Sequence, residues 1–433
     1  MVWRLATPNV AAVVIMSVVT IADAWFVGKL GTAPLASLAL VFPFQTLMVM
    51  VAGGAIGGAA TSSVARTLGS GSKENAEAAA WHALIIAGVM SIIFLLVLGI
   101  FPQQIYALLG GTGEALNGAV LYSKIAFGGS VSIFVLWILA AILRGTGDTI
   151  TPARVVIIGS VVQVILSGAL THGWGALPKI GIAGPATAMV VCHSGMAIYL
   201  AMYLIHGKSL VRLRVLPVQR APLADILHVG GVGLVNSVTV AATVIVVTGV
   251  VGHFGTEALA GYGLGSRLEL MLIPIIFGIG AALTAAVGAN IGAGQHARAR
   301  RIAWAGAGIS FFVICVIGGL VAVFPGLWLG WFTADPAASA YGSLYLGIVA
   351  PFYGVFAAGQ ALYFASQGTG RMILPVSVGV VRFLVVVIIG VAAIRFSWPL
   401  TVVFAGVSAG LVTIGLGLSL CLLGPDWRPK KLR

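Results

Sequence analysis

Apolar positions run almost without interruption along this chain, broken at intervals by short polar stretches. Crossing ~30 Å of hydrocarbon takes roughly 20 residues of helix. Twelve stretches qualify: 8–27, 34–65, 80–101, 118–143, 153–173 and 182–205 in the first half, then 229–252, 257–291, 302–324, 341–366, 373–394 and 398–423. The predicted fold class is an all-α polytopic membrane protein with twelve transmembrane helices. Spans two and eight are longer than a bilayer needs, which predicts tilting or a helical extension beyond it. No charged n-region, short apolar core and small-residue cleavage site precede the first span, so 8–27 reads as a retained helix and the chain as mature protein.

The pattern repeats. Phe26-Val27-Gly28-Lys29-Leu30-Gly31-Thr32 returns as Val250-Val251-Gly252-His253-Phe254-Gly255-Thr256, an offset of 224. Gly69-Ser70-Gly71 returns as Gly292-Ala293-Gly294, and Arg144-Gly145-Thr146-Gly147-Asp148 with Pro152 returns as Gln367-Gly368-Thr369-Gly370-Arg371 with Pro375, both at 223. Three collinear matches at nearly one spacing predict two six-helix lobes, residues 1–205 and 229–433, the second ending in a short basic tail. Tandem membrane bundles of this kind are a transporter design.

Composition and charge narrow the class. Of the residues, 60% are hydrophobic and 8% charged, with a mean hydropathy of +1.12, far from a soluble domain. The net charge of +13 could mean a nucleic-acid partner, but its placement argues otherwise. With a cytoplasmic N-terminus and twelve crossings, seventeen Lys and Arg fall on the inside and three, Lys29, Lys179 and Arg395, on the outside. Such asymmetry predicts that both termini are cytoplasmic. The hydrophilic stretch 206–228 reads as the linker between lobes, its basic residues meeting membrane lipid; no nucleic-acid partner is expected. Cys192, Cys315 and Cys421 lie within predicted helices and read as packing residues, with no disulfide framework and no metal site. No nucleotide-binding loop is present, since His206-Gly207-Lys208-Ser209 lacks the earlier glycine. The chain therefore reads as a non-enzymatic transporter without a cofactor, driven by an ion gradient.

Gradient coupling needs an ionisable group inside the membrane. Of the ten acids, eight belong to loops or helix ends, leaving Asp23 in the first span and Glu269 near the start of the eighth. A carboxylate in hydrocarbon costs several kcal/mol unless it is protonated, paired or hydrated, which makes each a functional candidate. The bland alternatives are a hydrated acid near a helix end for Asp23, and an ion pair or cap made with Arg267 for Glu269. Gln45, Gln163, His193, Asn236, Gln360 and Arg382 are the other polar residues that could line a cavity or bind neighbouring helices. Arg382 requires a partner, which the sequence does not name.

Asp23-Ala24-Trp25-Phe26-Val27-Gly28-Lys29-Leu30-Gly31, Leu143-Arg144-Gly145-Thr146-Gly147-Asp148-Thr149 with Pro152, and Gly288-Ala289-Asn290-Ile291-Gly292-Ala293-Gly294 together resemble the multidrug and toxic compound extrusion (MATE) transporters. The resemblance runs from about residue 5 to 425. It implies two six-helix lobes around a central cavity in a prokaryotic cytoplasmic membrane. It also implies export of organic, often cationic, small molecules in exchange for sodium ions or protons. Asp23 matches the family's functional first-helix aspartate, and Arg267 with Glu269 resemble its polar pair at the start of helix eight. The chain departs elsewhere: Gln163 and Ser167 stand where prokaryotic members place Asn and Asp, and Met189 where they place Thr. Sodium prefers several oxygen ligands, so this reduced set favours protons as the coupling ion over sodium. The expectation is antiport by alternating access in a monomer, with Asp23 as carrier. A sodium-coupled exporter and a lipid-linked substrate flippase stay as alternatives, the latter expected to carry a strongly cationic lateral cavity. Gly145-Thr146-Gly147-Asp148 also contains the Gly-x-Gly-Asp of intramembrane aspartyl proteases, but no second aspartate is placed to face it.

Overall fold

The computed structural model describes residues 2–175, 177–332, 335–424 and 427, so the expected basic tail lies outside the described residues. Each of the twelve predicted spans falls, in order, on one helical crossing. These are α1 (Val2–Gly28), α2 (Thr32–Gly69), α3 (Lys73–Ile100), α4 (Gly113–Gly128 and Ser130–Gly145), α5 (Ile150–His172) and α6 (Ala183–Ile205). After them come α7 (Arg220–Gly252), α8 (Thr256–Gly292), α9 (His296–Val323), α10 (Pro336–Thr369), α11 (Ile373–Arg395) and α12 (Leu400–Cys421). No strand occurs among the described residues, as the bilayer requires of a chain that must satisfy its backbone within each segment.

Three boundaries differ from the sequence reading for local reasons. The seventh helix starts at Arg220, nine residues before the expected 229, because Pro222 sits in its first turn, where proline lacks no needed donor. The irregular stretch is therefore 206–219. The fourth span is two helices bent by 46° at Gly129, where the Gly128-Gly129 pair lets the chain turn. The tenth contains a 3₁₀ turn, Ala350–Phe352, around Pro351. Short helices missed in the reading, Pro102–Leu108 and Gly326–Leu329, begin at the repeat offset of 224 from one another.

The chain forms two compact units, Thr7–Gly231 and Val232–Arg433 with Met1–Ala6. In the first, α4 packs on α2, α3 and α6, and α5 lies along α6; in the second, α10 packs on α8 and α9, and α11 on α12. The repeat seen in the sequence reappears as repeated contacts. Thr61 on α2 donates to the Ala141 carbonyl of α4 at 2.9 Å, and Thr284 on α8 donates to the Phe364 carbonyl of α10 at 2.8 Å. Two glycines permit these crossings: a Cβ on Gly145 would lie 2.9 Å from the Thr61 carbonyl, and one on Gly368 2.7 Å from the Thr284 carbonyl. Both units thus use a small residue for close backbone approach and a hydroxyl to bind across it. Thr61→Val and Thr284→Val, nearly isosteric, should each lower stability by about 0.5–1.5 kcal/mol. Thermal unfolding in detergent measures this, and equal losses are expected if the two contacts are equivalent.

Candidate functional site

The first unit holds its carboxylate where α1 meets α5. Asp23 is buried, and Ser167 Oγ donates to it at 2.5 Å. Ser167 is itself fully buried, and its carbonyl accepts from Thr171 at 2.6 Å, which fixes the last turns of α5. Gln163, one turn earlier on the same helix, is also buried. Tyr122 of α4, fully buried, faces both Asp23 and Gln45 of α2. Gln45 Nε2 donates to Met189 Sδ of α6 at 3.1 Å. Asp23 is therefore a buried acid among neutral hydroxyl and amide groups, with no salt bridge to it among the described residues. The hydrated helix-end alternative does not fit this burial. His193 is buried too, and its Nδ1 donates to the Met189 carbonyl at 2.8 Å, a bond within its own helix.

The second unit holds a different cluster. Glu269 on α8, partly buried, accepts from Tyr345 Oη of α10 at 3.1 Å. No salt bridge joins it to Arg382 of α11 among the described residues; that buried cation acts on it only at longer range. Arg382 is buried with its guanidinium carbon 5.7 Å from the Phe356 ring centre. Among the described residues its Nε has no hydrogen-bond partner. Among the described residues Arg267 and Glu269 form no ion pair. Arg267 is exposed, because residues two apart on a helix point to different faces.

The two remaining candidates are not drawn into either cluster. Asn236 of α7 lies over Gly379 of α11, its Oδ1 at 3.0 Å from where a Cβ would stand, while Gln360 is half-buried on α10. The residues the reading missed are tyrosines, and the repeat carries the signal for them. Gln45 and Glu269 are related by the offset of 224, and Tyr122 and Tyr345 by 223. Each unit thus pairs a tyrosine with the corresponding position on its long second helix, an amide in the first and an acid in the second. Asp23 and Arg382 break the symmetry, since Val247 and Gly159 occupy their corresponding positions.

The MatE family profile matches residues 8–168 and 233–393, one segment in each half. The chain is 27% identical to the FAD transporter of Shewanella oneidensis over 303 residues, covering 69% of this chain and 66% of that protein. It is 25% identical to the probable multidrug resistance protein NorM of Thermotoga maritima over 382 residues, covering 86% and 80%. Among solved structures, an outward-facing multidrug resistance MATE family transporter of the MOP superfamily matches with a TM-score of 0.89 at 20% identity, covering 98% of this chain and 94% of that one. A mutant form of the Vibrio cholerae MATE transporter VcmN matches with a TM-score of 0.89 at 19% identity, covering 98% and 97%. With the profile matched in both halves and twelve helical crossings in the matching order, this chain belongs to the MATE family of multi-pass membrane transporters.

Proposed function

We propose that the protein is a proton-coupled antiporter that exports organic, chiefly cationic, small molecules across a prokaryotic cytoplasmic membrane, with both termini cytoplasmic. The observation that carries this reading is Asp23, buried and held, among the described residues, by the neutral hydroxyl of Ser167. Binding a proton there needs only one oxygen to change state. Sodium needs several oxygen ligands together, and Ser167 and Met189 stand where the family resemblance leads one to expect Asp and Thr. Neutralising Asp23 removes the reason for α1 to hold polar partners on α5 and lets it repack. Re-ionisation restores the Ser167 bond. Alternating between these packings while the substrate binds one state better is sufficient for exchange. The relatives named as multidrug resistance proteins support the substrate class. A flavin dinucleotide is the second reading, supported by the similarity to the FAD transporter.

The test is proton release. Ethidium added to detergent-solubilised protein in weak buffer should release protons, read by a pH dye, without any need for sodium. Ser167→Ala removes a hydrogen bond to a group that carries charge in one state, and should weaken the coupling between substrate and proton roughly 10-fold. Absence of proton release, with ethidium binding made dependent on sodium, would overturn the proton reading. FAD added in the same assay separates the two substrate classes.

A further inference from the structure

The irregular stretch 206–219, between α6 and α7, is tied down along one side. Glu77 of α3 accepts the Arg212 backbone N–H at 3.2 Å, and the buried His82 accepts the Gln219 backbone N–H at Nε2, 2.7 Å away. His82 can accept there because its Nδ1 donates to the Ala78 carbonyl at 2.7 Å, which fixes the neutral tautomer. Val211 is fully buried, the Leu213 N–H donates to the Leu204 carbonyl at 3.3 Å, and Arg212 Nε donates to the Ile205 carbonyl at 2.9 Å. Beyond the stretch, Arg66 of α2 reaches both carboxylate oxygens of Asp225 at 2.8 and 2.7 Å, so the first turns of α7 are anchored as well. The corresponding positions of the second repeat, Ala289, Arg300 and Ala305, offer no such anchors. The strap belongs to the first unit by construction.

Its other side is unusual for a segment outside the helices. Leu210, Val215 and Val218 are 64%, 81% and 69% exposed, and they alternate with exposed Lys208, Arg212, Arg214 and Arg220. No acid occurs between His206 and Ala224. Water is a poor solvent for that apolar set, and hydrocarbon for the cations between them. The headgroup boundary of an anionic bilayer suits both, and the strap joins two membrane helices directly, so it lies at that depth. The bonds to Glu77 and His82 fix the backbone beforehand, so docking does not have to order it.

We propose that this strap is an interfacial docking surface for anionic phospholipid headgroups, its cations on the phosphates and Leu210, Val215 and Val218 at the acyl boundary. The proposal does not depend on which ion or substrate the transporter uses. It is tested on the full-length protein by native mass spectrometry, counting short-chain phosphatidylglycerol or phosphatidylcholine retained during titration. Wild type should prefer phosphatidylglycerol, and inorganic phosphate should not displace it. The variant Lys208→Gln, Arg214→Gln, Arg220→Gln removes the long Arg214–Glu77 ion pair at 3.9 Å but keeps the backbone N–H bonds of Arg212 to Glu77 and of Gln219 to His82. It should lower phosphatidylglycerol affinity roughly 100-fold, at about fivefold per cation, while leaving phosphatidylcholine unchanged. Val215→Ser with Val218→Ser should weaken both lipids several-fold. No preference of the wild type between the two lipids would overturn the proposal, as would equal phosphatidylglycerol retention in the wild type and the triple variant at matching elution volumes. Displacement by inorganic phosphate would assign the cations to a free anion instead and overturn it too.

Discussion

Asp23→Asn reduces gradient-driven export to the level of empty vesicles while the protein remains folded. The reasoning is geometric. Asn is nearly isosteric with Asp and can still accept from Ser167 through its amide oxygen, so α1 and α5 stay joined. Unfolding stability should stay within about 1 kcal/mol of wild type, since one neutral hydrogen bond replaces another. What Asn cannot do is alternate between charged and neutral forms, and without that the ion gradient has no hold on the packing of α1. Ethidium should still bind, because the loss lies in coupling rather than in recognition. Expression, thermal unfolding and ethidium binding serve as controls, and export by the variant at the wild-type rate would remove Asp23 from the mechanism.

Glu269→Gln destabilises the second unit more than Glu269→Gln combined with Arg382→Met. A buried cation that loses its opposing charge costs about 3–5 kcal/mol, whereas replacing both members with neutral groups of similar volume is often close to neutral. Arg382 is buried with its Nε unpartnered among the described residues, and Glu269 is the acid whose charge reaches it, so Glu269 is expected to compensate it. Met keeps the length and the apolar contact with the Phe356 ring while removing the charge. A double-mutant cycle read by thermal unfolding should give a coupling of at least about 1 kcal/mol. Additive effects would show that Glu269 is held by Tyr345 alone and that Arg382 finds its compensation elsewhere.

These two clusters mark the limit of what the residue string discloses. The crossings were legible because hydrocarbon imposes one demand, about 20 apolar residues, at every span. The repeat was legible because each unit must solve the same helix crossing, with Gly145 and Gly368 in the same role. The acids stood out because there are so few of them. Partnership did not. Arg382 plainly required a counter-group, yet only the fold brings it within the electrostatic reach of Glu269, without a salt bridge among the described residues, and Arg267, close to Glu269 in sequence, is exposed. Tyr122 and Tyr345 carry no signal of their own in the sequence; the repeat offset relates them, and the fold sets them against Gln45 and Glu269. The strap was read as a linker because its composition is hydrophilic. Its anchors, Glu77 and His82, lie some 135 residues earlier, a separation no local pattern bridges.

The most direct test of proton coupling is ethidium efflux from proteoliposomes containing wild-type protein, with a pH gradient and a sodium gradient imposed one at a time. Efflux driven by the pH gradient in sodium-free buffer, and none driven by sodium at equal pH, is the predicted result. Efflux driven by sodium alone would contradict it and would mean that Asp23, Ser167 and Gln163 suffice to hold that ion.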